Sequence, residues 1–96
     1  MVIAITLDGY KISNATGSGT GTINAGATGN VSVTLSSIEL ANIKNVLGVK
    51  QITVTGGTAV IAGFNASGNT VIVTLYTPGS AAVSVTVSVT ATVVGN

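Results

Sequence analysis

The sequence predicts an all-β fold: an antiparallel β-sandwich, jelly-roll-like or Ig-like, of about 7–8 strands, with one short α-helix near residues 37–47. Three observations predict it. Val, Ile and Thr make up 39 of the 96 residues, and β-branched side chains suit a pleated sheet better than a helix. Apolar and polar residues alternate with period two in several short runs, the signature of strands with one buried face. Thirteen glycines and several Asn/Gly/Pro clusters separate those runs at the close spacing of antiparallel connections. A chain of 96 residues is one domain, spanning 1–96.

The first strand is expected over residues 2–7, with Ile3, Ile5 and Leu7 on one face. Asp8-Gly9 suits a two-residue hairpin turn, whose central positions favour positive φ, and Tyr10–Asn14 would return as the second strand. Residues 15–30 contain five glycines and read as a flexible Gly/Thr-rich loop anchored by Ile23, with an edge strand at Thr20–Asn24 as its most ordered portion. Val31–Leu35 alternates cleanly and reads as a strand.

The helix expectation rests on start and stop signals. Ser36 is placed as an N-cap with Glu39 three residues later to close a capping box. Leu35 and Leu40 fall at staple positions. Leu40, Ile43 and Leu47 line one helical face, with Val46 nearby, and Gly48 stands where a left-handed terminator is wanted. These three apolar residues are expected to dock the helix over one end of a sheet.

Val49–Thr55 then resumes strand, and Gly56-Gly57 reads as a hairpin turn into Thr58–Ala62. Asn65–Asn69 is expected to turn, and Thr70–Tyr76 to form a strand with Val71, Val73 and Leu75 inward. Thr77-Pro78-Gly79-Ser80 suits a type II turn. In the last segment every odd residue from Ala81 to Val93 is apolar and every even one from Ser84 to Thr92 is Ser or Thr. Thirteen such residues span roughly 43 Å, about twice the usual strand. The expectation is a strand that bends between sheets or extends beyond its domain, with Val83, Val85, Val87 and Val89 supplying core or inter-subunit packing.

Composition narrows the chemistry. Without His or Cys, imidazole and thiolate routes to nucleophilic catalysis, metal ligation and proton shuttling are closed. Asp8 and Glu39 are the only carboxylates, and turn geometry and helix capping account for them. Gly17-Ser18-Gly19-Thr20-Gly21 lacks the following Lys and the helix that a phosphate loop requires. The expectation is therefore no enzyme and no cofactor or metal. Thr-X-Thr pairs at Thr20/Thr22, Thr53/Thr55 and Thr90/Thr92 lie at irregular intervals, so no repeating ladder of the kind that orders water is specified by the sequence alone.

A formal charge of +1 offers no footprint for nucleic acid. Mean hydropathy is +0.73, yet no run of about 18 apolar residues is present, and three aromatics do not furnish the girdles of a membrane barrel; no membrane insertion is expected. The N-terminal stretch has no basic region and reads as a strand rather than a secretion signal. Only 5% of residues are charged, against about 25–35% on the surface of a freely diffusing domain. Burying an ion in an interface costs several kcal/mol, whereas a buried hydroxyl costs about 1–3 kcal/mol and is offset by one hydrogen bond.

These features lead to an expected role as a structural subunit of a virus particle: a capsid, decoration, turret or fibre protein made in the host cytoplasm. Its partners would be copies of itself and other structural proteins of the same particle. A subunit of an extracellular filament, pilus or surface layer at the cell surface is the alternative, with Ala81–Val93 completing a neighbour's sheet. A small carbohydrate-binding module is the third, with Tyr10, Phe64 and Tyr76 as the only stacking candidates.

Overall fold

The computed structural model describes residues 2–5 and 9–96. They form strands β1 (Val2–Ile5), β2 (Lys11–Ile23), β3 (Thr28–Thr34), β4 (Ile43–Thr55), β5 (Val60–Ser67), β6 (Thr70–Tyr76) and β7 (Val83–Gly95). One sheet has the order β1-β2-β7-β4 and the other β3-β6-β5, with every pairing antiparallel. The arrangement is all-β and sandwich-like, elongated to 52 × 18 × 16 Å.

The inward residues of both sheets share one core. Val85, Val87, Val89, Ala91 and Val93 of β7 meet Val31 and Val33 of β3 and Val71, Val73 and Leu75 of β6 in a single buried cluster. The sheets differ in length. Strands β2, β4 and β7 have 13 residues each, whereas β3, β5 and β6 have 7, 8 and 7. The short sheet thus leaves one end of the long sheet without a facing strand. There the connection 35–42 takes over. Ser36 exchanges backbone hydrogen bonds of 2.9 and 3.0 Å with Thr16, Asn42 does the same with Asn96, and Leu35 and Leu40 are buried.

Several sequence expectations are corrected. No helix occurs among the described residues, and 37–47 is instead a loop followed by the start of β4. The Ser37 hydroxyl, rather than that of Ser36, accepts a hydrogen bond from the Glu39 backbone N–H at 3.2 Å, which is a local Ser turn. The apolar spacing behind the helix expectation has another cause. Ile43, Val46, Val49 and Ile52 recur every third residue, and all four are partly buried against the core. On a regular strand that spacing would alternate faces. The ladder to β7 shifts three times, between Ile43 and Asn45, Val46 and Gly48, and Val49 and Gln51. Each shift passes over one β4 residue, namely Lys44, Leu47 and Lys50, as β-bulges do. The bulges turn a period of three back into one buried face.

Residues 15–30 are not a flexible loop. Residues 15–23 belong to β2, and 28–30 open β3 after a short turn. The glycines explain why: Gly17, Gly19 and Gly21 alternate with exposed Thr16, Ser18, Thr20 and Thr22, so the glycines all face inward. They stand opposite Val89, Val87 and Val85 of β7. A Cβ at Gly17 would collide with the Thr34 carbonyl oxygen, one at Gly19 with that of Ser32, and one at Gly21 would lie 2.9 Å from a Val31 methyl. Glycine in this strand lets another backbone approach closely.

The long last strand stays within one sheet. It lies between β2 and β4, pairing with β2 from Val83 to Gly95 and with β4 from Thr86 to Gly95. Gly56-Gly57 does not close a hairpin, because β4 and β5 belong to different sheets. Gly79 is absent from the positive-φ glycines, so 77–80 is not a type II turn but part of the crossing from β6 to β7. The turn expected over 65–69 contracts to Gly68-Asn69, with Gly68 at φ 61° and positive φ at the first central position only, the type II′ pattern. Leu7 and Asp8 lie outside the described residues, as therefore does half of the proposed Asp8-Gly9 turn.

Candidate assembly surface

Three surfaces follow from this architecture. The first is the outer face of the long sheet. Register places Thr20, Thr86 and Thr55 in one cross-strand row, Ser18, Ser88 and Thr53 in the next, and Thr16, Thr90 and Gln51 in a third. Rows repeat along the strands at about 6.6 Å and strands lie about 4.8 Å apart. The hydroxyls are linked loosely, with Thr22 Oγ1 and Ser84 Oγ 3.4 Å apart and Thr55 Oγ1 donating to the Thr86 carbonyl at 3.5 Å. Sequence spacing concealed this grid. The Thr-X-Thr pairs are irregular along the chain, but antiparallel register aligns them in space.

The second surface is the side where β4 and β5 form the margins of the two sheets. Ile61 and Phe64 pair with Leu75 and Val73 of β6, whose side chains point into the core. Even so, Ile61 is 40% and Phe64 54% exposed. With Val49, Lys50, Gln51 and Ile52 they line an open groove of about 280 Å³. The sandwich is therefore shut along β2 and β3, where glycines admit the opposite backbone, and gapes along β4 and β5. Val60 at 56% and Leu47 at 55% exposure extend the apolar margin.

The third is the margin of β4 itself. Lys44 and Lys50 occupy two of its three bulges. Lys44 Nζ also donates to Tyr10 Oη at 3.1 Å and lies 4.2 Å from the centre of that ring.

The residues singled out from sequence separate into different environments. Val85, Val87 and Val89 are buried within the single chain, and Val83 is partly buried. Leu40 is buried at 5%, Ile43 packs against the core from β4, and Leu47 faces solvent at a bulge. The three aromatics are not brought together. Phe64 faces the groove, Tyr76 lies on the opposite face of the short sheet beside Val60 and Thr28, and Tyr10 packs on Lys44 at one end of the long sheet. Sequence reading missed β5 as a surface element, although Val60-Ile61-Ala62-Gly63-Phe64 without a charge was its visible signal. No family model, curated protein or solved structure matches the chain.

Proposed function

We propose that the chain is a structural subunit of a multicopy particle, a virion component of the capsid, decoration, turret or fibre type, acting through contacts with copies of itself and neighbouring structural proteins rather than through catalysis. The observation that carries this reading is the uncovered apolar side along β4 and β5, on a surface almost without charge. Monomeric soluble domains rarely leave contiguous apolar surface open. The neutral hydroxyl face of the long sheet adds to the argument, because hydroxyls cost less to bury than ions.

As the finer fold class we assign an Ig-like sandwich. Order β1-β2-β7-β4 over β3-β6-β5 keeps the seven-position frame of an Ig constant-type sandwich but exchanges its fifth and seventh strands. A jelly roll takes eight strands. The alternative of a filament subunit that donates Ala81–Val93 is disfavoured, since β7 is paired on both edges and would have to leave its own sheet. A sugar site built on stacked rings is disfavoured by the separation of Tyr10, Phe64 and Tyr76.

Sedimentation velocity across a wide concentration range, together with electron microscopy of native material, tests the proposal. Species well above 9.3 kDa and regular particles are the expected result. A chain that stays monomeric at all accessible concentrations would sink it.

A further inference from the structure

We infer that β5 is the docking strand of this chain and that its occupant is β5 of a second copy, paired antiparallel about a two-fold axis so that the two three-stranded sheets become one of six strands. The inference rests on the reading of the chain as an assembly subunit and names the contact.

It follows from comparing the four sheet margins. An open strand edge offers unpaired N–H and C=O groups to any other strand, and proteins blunt such edges by shortness, bulges, lysines or cover. Among the described residues β1 is short, with four. β3 is covered: the carbonyls of Ser32 and Thr34 lie against Gly19 and Gly17 of β2. β4 carries three register shifts, with lysines at two of the residues passed over. β5 carries the least of this protection. Its eight residues include no charge and no proline, and its single register shift lies at Ala62. Among the described residues no backbone hydrogen bond reaches its outer margin.

The same comparison selects the occupant. A complementary strand must itself have an open edge, and on this chain β1, β3 and β4 are each blunted. Among the described residues only β5 of another copy fits β5, which makes the contact isologous and closed, as most homodimers are. Pairing would also bring the half-exposed Ile61 and Phe64 of the two copies together on the inner face.

The test uses the full chain and Ala62→Lys. Ala62 is exposed and passed over in the ladder to β6, so lysine there installs on β5 the device β4 already carries, and circular dichroism confirms retention of the fold. Sedimentation equilibrium should show wild-type dimers and a dissociation constant raised by at least about tenfold in the variant, since like charges brought together across an interface cost several kcal/mol. Leu47→Lys on β4 should leave dimerisation unchanged. Hydrogen exchange should show β5 amides of the wild type gaining protection as concentration rises. If the wild type associates but Ala62→Lys and the β5 amides are indifferent, the contact is overturned while the assembly reading stands. A wild type that never associates overturns both.

Discussion

The two long sides of this sandwich are held by opposite means. Along β2 and β3 the sheets approach until backbone meets backbone, because Gly17, Gly19 and Gly21 present no side chain to the facing strand. Valines 85, 87 and 89 of β7 stand beside them and fill the layer. Along β4 and β5 the same two sheets diverge. Inward-facing Ile52 and Val49 are only partly buried, and Ile61 and Phe64 reach solvent. The lesson is that how closely the two sheets approach here follows the thinness of the facing strands. The glycine-rich margin seals the core, and the apolar margin stays open to solvent.

Substitutions can break this contrast. The largest effect is expected at the sealed side. Gly17→Val drives a side chain into the Thr34 carbonyl, and neither backbone can yield without separating the sheets. A loss of about 3 kcal/mol or more is expected from overpacking of this kind, read as a fall in the denaturation midpoint by circular dichroism. A midpoint unchanged from wild type would show that the sheets are not in contact there.

Leu40→Ala comes next, at about 2–5 kcal/mol for a buried leucine, because Leu40 closes the end of the core that the short sheet does not reach. Leu47→Ala in the same experiment should cost no more than about 0.5 kcal/mol, as expected for an exposed position. Equal losses at the two leucines would favour the helix first expected over 37–47, in which both share a face.

The smallest effect is expected at the open side. A Cβ at Gly48 meets nothing within 4 Å, and Gly within a strand is less stable than Ala by roughly 0.5–1 kcal/mol. Gly48→Ala should therefore leave stability unchanged or raise it by about that amount. Of two glycines in one sheet, one should thus lower the melting curve when substituted and the other should leave it in place or raise it.

Much of the short sheet was legible in the chain. Val31, Val33, Val71, Val73 and Leu75 alternate with polar residues, and simple period-two reading assigns all five to the core they occupy. Residues 15–23 were misread because glycine ordinarily signals a turn. The alternation of Gly with Thr or Ser was itself the strand signal, but it carries no hydrophobic weight. Residues 40–47 were misread because a spacing of three resembles the spacing along one helical face. Its strictness was the clue. Each step of three falls about 60° short of a full helical turn, so four steps from Leu40 to Ile52 walk most of the way around a helix instead of marking one side.

What the sequence determined by itself is the class of structure and its chemical poverty: β-branched residues in alternation must pair as strands, and a chain without His or Cys and with two carboxylates has few groups with which to do chemistry. Which strands become neighbours was decided only in three dimensions. The pairing of β7 with both β2 and β4, the bulges that convert a period of three into one face, the hydroxyl rows and the exposed margin of β5 all depend on register between residues distant along the chain. Local periodicity says which way a side chain points, but only the partner strand says what it meets.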